Sequence, residues 1–313
     1  MLLPPRAPSC CVRTFLIRLI TAAALLLPAA PGSAAEQQLM VAGASIRLQS
    51  EPSQFAHGQQ PLEEWVRRAA QIVAAYYGHF PVKNLQLTLQ AIPDGGVHGG
   101  KTFGEPQAYI RVGVGRAVTA AELAEDWVLV HEMTHLALPD TGESHAWLSE
   151  GIATYVEGVA RVQAGNRAET DVWAEELRAM PRGMPQSGDE GLDRTHTWGR
   201  TYWGGAIFCL LADVTIHQRT DNRFGLQDAL RAVLDASGGL SSDWPIERVL
   251  KTGDAAVGVP VLEELYQQYG RSPAAPNLEQ LWRDLGVEGK DGAVRLNDSA
   301  PLAAVRRAIM RRR

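Results

Sequence analysis

The sequence predicts an α+β fold in which a small sheet-containing N-terminal lobe precedes a helical C-terminal lobe. Before about residue 118, apolar and polar residues alternate as in half-buried strands. Over nearly all of the later chain, apolar residues recur at helical spacing instead. The 313 residues, 45% hydrophobic and 21% charged, are enough to bury a sizeable core. We therefore expect a leader at 1–35, a first lobe at 36–118 and a helical lobe at 119–313.

The leader has the pattern of a secretory signal peptide. Three arginines and no acidic residue accompany a short apolar run at 19–27, and the small residues at 33–35 suit cleavage before Glu36. A run of about nine apolar residues is too short to cross a bilayer, which takes about 20. We expect a periplasmic or secreted protein with no stable membrane span after cleavage; the alternative is a leader retained as an anchor.

The charge and the cysteine content narrow the possible functions. The net charge is −5, and removal of the three leader arginines leaves the rest of the chain at −8. That balance argues against nucleic acid as a general partner. Outside the leader Cys209 is the only cysteine, and its apolar surroundings predict a buried structural thiol. The arginine-rich stretch at 306–313 is interpreted as the solvated end of a helix.

The predicted elements of the first lobe follow one another closely. A strand is predicted at 39–48, although small residues interrupt it, and a helix at 61–77 begins with a proline. A second strand at 84–91 alternates apolar and polar residues. A glycine-rich turn at 95–100 then leads to a third strand at 108–114. These elements together predict a small sheet with one helix.

The second lobe is predicted to be helical. Glycines at the ends of several apolar-periodic stretches and a proline at the start of another indicate the helix boundaries. The predicted helices span residues 120–136, 146–163, 168–180, 199–218, 225–236, 260–269 and 277–285. Any chemistry is expected where the two lobes meet.

The segment with the strongest chemical signal is the HExxH sequence at residues 131–135. His131 and His135 are four residues apart, so on a helix their imidazoles project from one face and can bind a single metal ion. Glu132 lies beside them and can take a proton from a metal-activated water as that water attacks a carbonyl. The apolar residues on both sides predict that this helix is buried.

A zinc hydrolase usually has three protein ligands, so a third ligand is expected after the second histidine. Glu150, on the next predicted helix, is the best candidate. Asp140, Glu143 and His145 are the rival candidates from the intervening loop. Two imidazoles and one carboxylate favour zinc over other divalent ions.

The helix that carries Glu150 resembles the second motif of the gluzincin metallopeptidases, in particular the glycyl-aminopeptidase and aminopeptidase N-like groups. Their motif has the form WLxEGxAxYxE. The matching residues here are Trp147, Leu148, Glu150, Gly151, Ala153, Tyr155 and Glu157. The resemblance implies a thermolysin-like zincin fold, one Zn²⁺ per chain and a peptide or protein substrate. It also implies that Glu150 is the metal ligand and that Glu157 has a supporting role.

A third segment extends the resemblance to residues 200–213. In the same families, a tyrosine in a YxxG segment donates its phenol to the oxyanion of the tetrahedral intermediate, and Tyr202 and Gly205 occupy the matching positions. The structural alternative is a tyrosine packed in the core at a helix start. His196 and Arg200, just upstream, are candidates for binding a substrate carboxylate or for ordinary surface positions.

One family feature is missing from the sequence. The aminopeptidases carry a GxMEN-type segment whose glutamate binds the free amine of the substrate, whereas residues 95–112 contain no such motif. These residues instead suit an edge strand that pairs with an extended peptide. The sequence thus predicts a zinc metallopeptidase. The alternatives are zinc-dependent hydrolysis of a non-peptide or cell-wall amide, and a catalytically silent, zinc-stabilised envelope binding protein.

Overall fold

The computed structural model describes residues 35–290 and 293–312. The predicted signal peptide at 1–35 lies outside these residues, except for Ala35. The described chain combines a mixed sheet with many helices, which confirms the predicted α+β class. The assignment of the chain to a leader and two lobes stays a prediction.

A five-stranded sheet contains most of the first part of the described chain, in the spatial order β1-β2-β3-β5-β4. The central pairs β2–β3 and β3–β5 are parallel, whereas β1 and β4 pair antiparallel at the two edges. The strands are β1 Ala35–Val41, β2 Ala44–Ser50, β3 Asn84–Ile92, β4 Val97–Phe103 and β5 Tyr109–Gly115.

Two predictions for this region were wrong. The single strand expected at 39–48 is a hairpin, because Ala42 and Gly43 have φ values of 49° and 80° and reverse the chain. The expected turn at 95–100 is also shorter than predicted. Gly99 and Gly100 lie within β4, which pairs with β5 through an irregular register.

Helices make up more than half of the remaining chain. They are α1 Gln60–Tyr77, α2 Ala120–Glu125, α3 Val128–His135, α4 Ala146–Gln163, α5 Glu169–Ala179, α6 Gly205–Arg219, α7 Leu226–Ser237, α8 Ile246–Val257, α9 Val261–Leu265, α10 Leu278–Leu285 and α11 Ala303–Met310. A hairpin of β6 Val287–Lys290 and β7 Ala293–Leu296 lies between the last two helices. Neither α8 nor this hairpin was predicted.

The helix predicted at 120–136 is two helices, because Asp126 breaks it. Asp126 has an extended backbone conformation, and its carboxylate accepts hydrogen bonds from the amides of Val128 and Leu129 at 3.0 and 3.1 Å. A carboxylate at this place satisfies free amides of the first turn and favours a new helix start. The break therefore fixes where α3 begins, and with it the direction of the two histidines.

The core is continuous beneath the sheet and among the helices. Strand residues such as Leu48, Leu87 and Val112 are fully buried, and α1 and α3 pack beside the sheet. Cys209 is buried in α6, as predicted. Among the described residues, no helix is both long and apolar enough to cross a membrane.

The C-terminal arginines differ from the prediction at one position. Arg306 is buried rather than solvated, with only 1% of its surface exposed. Its guanidinium donates to the carbonyl of Leu285 and to the carboxylate of Asp298 at 2.9 and 2.6 Å. Arg306 thus joins α11 to the preceding segments.

Candidate metal centre and active site

The three predicted ligands lie together between α3 and α4. The Nε2 atoms of His131 and His135 are 3.3 Å apart. Glu150 Oε2 lies 3.2 Å from the first nitrogen and 3.4 Å from the second. Among the described residues, these three side chains form the one cluster of histidine, cysteine and carboxylate groups with metal-binding geometry.

These separations fit a zinc ion. Bonds of about 2.0–2.1 Å in tetrahedral directions place the ligand atoms about 3.3–3.4 Å apart. The observed distances between the three ligand atoms are 3.2, 3.3 and 3.4 Å. Two imidazoles and one carboxylate are also a donor set that catalytic zinc sites use, with a fourth position left for water.

The electrostatics of the three groups suit a bound cation. Burial opposes ionisation of Glu150, but hydrogen bonds from His131 and His135 outweigh it and lower the pKa of Glu150 to about 2. Burial lowers the pKa of His131, so its imidazole is neutral at physiological pH. A neutral imidazole and an ionised carboxylate are the forms that ligate a metal.

The rival ligands from the intervening loop have other partners. His145 Nδ1 lies 2.9 Å from the carbonyl oxygen of Thr141, and Asp140 accepts a hydrogen bond from the amide of Gly142 at 2.8 Å. Neither these two side chains nor the exposed Glu143 belongs to the cluster. Asp140 and Glu143 do line the cleft into which the three predicted ligands open.

A hydrogen bond orients one of the imidazoles. His135 Nδ1 lies 2.8 Å from Ser149 Oγ, on the helix that carries Glu150. Partners of this kind hold a ligating ring in one tautomer and orientation. His131 Nδ1 is buried and has no such partner among the described residues. Ser149 was not predicted, because nothing in the spacing of the motif distinguishes it from a solvated serine.

Glu132 is held from the sheet side by β4. Thr102 Oγ1 lies 2.6 Å from Glu132 Oε2 and 2.9 Å from the carbonyl oxygen of the same residue. A Cβ at Gly100 would lie 2.5 Å from Glu132 Cγ, so only glycine leaves room for the carboxylate there. Neither Thr102 nor Gly100 was predicted as a site residue, since both are about thirty residues away in sequence.

Tyr202 lies in a single π-helical turn at Arg200–Gly204 that precedes α6. Its ring stacks against the ring of His131, with centroids 6.2 Å apart, and it lines the same cleft as Glu132 and Glu150. Burial, followed by the nearby charges of Glu150 and Glu132, raises the pKa of Tyr202 to about 12. Its hydroxyl therefore stays protonated at neutral pH and can donate a hydrogen bond.

The two upstream candidates are not at the site. Arg200 is buried, its guanidinium pairs with Asp189 at 2.8 Å and it donates to the carbonyl of Gly183 at 2.6 Å. The guanidinium of Arg200 is therefore bound within the protein and is not available to a substrate carboxylate. His196 is exposed and does not line the cleft.

A close contact between Gly151 and Gly205 joins α4, which carries Glu150, to α6, which follows the turn of Tyr202. A Cβ at Gly205 would lie 2.1 Å from the carbonyl oxygen of Trp147 and 2.7 Å from Gly151 Cα. A Cβ at Gly151 would lie 2.3 Å from Gly205 Cα. The backbones of α4 and α6 therefore touch where the helices cross, next to Glu150 and close to the turn that carries Tyr202.

The fold is shared with solved structures of an aminopeptidase N family protein and of an M1 zinc metallopeptidase. The chain is similar to an aminopeptidase N family protein from Idiomarina loihiensis, with a TM-score of 0.63, 13% identity and coverage of 82% of this chain and 50% of that one. It is also similar to an M1 zinc metallopeptidase from Deinococcus radiodurans solved with a Tyr-Ser-Ala substrate, with a TM-score of 0.51, 14% identity and coverage of 78% and 53%. No family profile and no curated protein matches the sequence.

These likenesses establish the fold of the described chain. It is the gluzincin fold of the M1 aminopeptidases, as the sequence motifs predicted. The chain spans about half the length of the solved structures that it matches.

Proposed function

We propose that this protein is a zinc metallopeptidase that hydrolyses peptide bonds. The observation that carries the proposal is the convergence of His131, His135 and Glu150 at 3.2–3.4 Å with Glu132 in the same cleft. The fold is shared with an aminopeptidase N family protein and with an M1 zinc metallopeptidase solved with a peptide substrate, which supports the same class.

His131, His135 and Glu150 would hold the zinc ion. The ion would supply a Lewis acid and lower the pKa of water, so that a hydroxide nucleophile would be available at neutral pH. Glu132 accepts the proton of the attacking water and returns it to the leaving amine. Thr102 holds the Glu132 carboxylate in place during both transfers, through the contact of 2.6 Å. Tyr202 donates its hydroxyl hydrogen to the oxygen that gains charge in the transition state.

The cleft also has the features that an extended peptide needs. Its volume is about 570 Å³, and residues 100–102 of the edge strand β4 line it beside Glu132. An edge strand offers free backbone groups that bind a peptide as an added strand. A peptide paired with β4 therefore runs past the three ligands and brings a scissile carbonyl to them.

Metal analysis and cleavage of a peptide library test the proposal together. We expect one zinc ion per wild-type chain, loss of that zinc in Glu150→Ala, and loss of cleavage with zinc retained in Glu132→Gln. Glu279→Gln, at an exposed position on α10, is the control and should change neither result. Zinc without any peptide cleavage would favour a non-peptide or cell-wall amide substrate, or a silent binding protein. Absence of zinc from the wild type would refute the proposal.

We also propose that the protein acts in the periplasm or outside the cell. The basic and apolar pattern of residues 1–35 supports export. N-terminal sequencing of the protein purified from the cell envelope and the medium should give a chain that begins at Glu36. A chain that begins at Met1 and stays in the cytoplasm would contradict this assignment.

A further inference from the structure

A second cavity adjoins the cleft, and the proposed reaction does not use it. This side cavity has a volume of about 320 Å³ and shares His131 and Tyr202 with the cleft. Ligand pockets usually measure about 300–1,000 Å³, so the side cavity has room for a single amino-acid side chain. The side cavity therefore lies beside the candidate metal ligand His131.

Aromatic side chains form the wall of the side cavity. Trp127 and Trp198 line it and are 51% and 59% exposed, which is unusual for tryptophan. The indole of Trp127 meets the ring of His131 edge to face at 5.5 Å, and Trp198 stacks on Tyr202 at 5.8 Å. Indole faces attract cations as well as apolar groups.

Three glutamates, Glu157, Glu175 and Glu176, also line the side cavity, and two of them have a cationic partner. Glu157 pairs with Arg161, and Glu175 pairs with Arg167, each at 2.8 Å.

Glu176 is the exception. Only 4% of its surface is exposed, Oε2 is buried without a hydrogen-bond partner, and its carboxyl forms no ion pair or hydrogen bond among the described residues. An unpartnered buried carboxyl lowers stability unless a ligand satisfies it. Burial, with the charges of Glu175 and Glu157, raises the pKa of Glu176 well above its usual range. A cation bound beside Glu176 would give the carboxyl a partner and would also stabilise its ionised form.

We propose that the side cavity is a specificity pocket for a basic side chain, lysine or arginine, beside the scissile bond. The apolar stem of that side chain packs between Trp127 and Trp198, and its charged end reaches Glu176. An apolar side chain of the same length fits the walls but leaves the Glu176 carboxyl without a partner. Among the described residues, Arg182 is the one cation that lines the side cavity without an ion pair. Its side chain is exposed, so its repulsion of a basic substrate side chain acts only from the surface.

The inference rests on the proposed peptidase function, and substrate kinetics test it first. Matched peptides carry lysine or its uncharged isostere norleucine on either side of the scissile bond. We expect the lysine peptide to be preferred, and Glu176→Gln to lower its kcat/KM about 30-fold or more, as for one lost partner of a buried charge pair. The norleucine peptide should change little. Arg182→Ala should improve cleavage of the lysine peptide.

A binding measurement separates failure of the pocket from failure of the peptidase function. The Glu132→Gln protein is titrated with N-acetyl-lysine methylamide and with the norleucine analogue, with tryptophan fluorescence as the readout. Saturable quenching by the lysine compound alone, abolished by Glu176→Gln or by Trp198→Leu, supports the pocket even if no peptide is cleaved. Peptide cleavage without any preference for basic residues, together with equal binding of both compounds, would overturn the proposal.

Discussion

Gly100→Ala is expected to displace the carboxylate of Glu132 while leaving the three candidate zinc ligands in place. The new Cβ would lie 2.5 Å from Cγ, 2.8 Å from Cδ and 2.9 Å from Oε1 of Glu132. Ordinary contacts begin near 3.4 Å, so the side chain must move by about 1 Å. That movement weakens the hydrogen bond to Thr102, which fixes the carboxylate.

A misplacement of about 1 Å in an active site lowers kcat about 100-fold. Gly100→Ala should therefore reduce kcat by that factor with KM nearly unchanged. The zinc content should stay at the wild-type value, because the three atoms nearest to the new methyl group all belong to Glu132. Steady-state kinetics on the best library peptide, together with metal analysis and thermal unfolding, measure all three quantities.

Gly113→Ala, on the neighbouring strand β5, is the matched control. Its Cβ would make only ordinary contacts, the nearest at 3.8 Å to His98 Cβ and Ile92 Cδ1, so kcat should be unchanged. The reasoning is wrong if Gly100→Ala retains full kcat. It is also wrong if that variant loses zinc or unfolds at a much lower temperature than Gly113→Ala.

Three further predictions follow from the site. Ser149→Ala removes the partner of His135 Nδ1, so zinc affinity measured by chelator competition should fall about 10–100-fold. Tyr202→Phe removes the expected oxyanion donor, so kcat should fall about 100–1,000-fold with zinc retained; a smaller loss would assign the ring a packing role. Burial raises the pKa of Glu157 to about 7, above the unfolded value of about 4.3. The protonated carboxyl of Glu157 therefore contributes fully to the free energy of unfolding below about pH 4, and this contribution is lost as the pH rises towards 7. Glu157→Gln should flatten that part of the curve of melting temperature against pH, and an unaltered curve would contradict the assignment.

The parts of the fold that the sequence predicted well are those with a local signal. Helix α4 begins and ends where predicted, at Ala146–Gln163, because its apolar periodicity is uninterrupted. Helix α8, Ile246–Val257, was missed although its apolar face is clear, since Gly253 interrupts its interior. A Cβ at that glycine would lie 2.6 Å from Leu262 Cδ1 of another helix, so a side chain there would force the leucine to move.

The residues of the site also divide into those with a local sequence signal and those without one. His131, Glu132 and His135 were recognisable because their chemistry depends on spacing within one helix. The groups that hold Glu132 come from β4 through contacts between residues about thirty positions apart, and no local pattern reports such contacts. Asp126 is intermediate. An aspartate before a helix is a cap signal, but the residues on both sides of it, AAELAE and VLV, favour helix and concealed the break.

The contact between Gly151 and Gly205 has a consequence for how this site can change. With no side chain at either position, the separation of α4 and α6 is set by backbone against backbone. A methyl group on either glycine would push the helices apart and carry Glu150 and the turn of Tyr202 away from each other. The metal ligand and the phenol are thus mechanically coupled, and neither helix can be replaced by one from another protein unless the glycine at the crossing is kept.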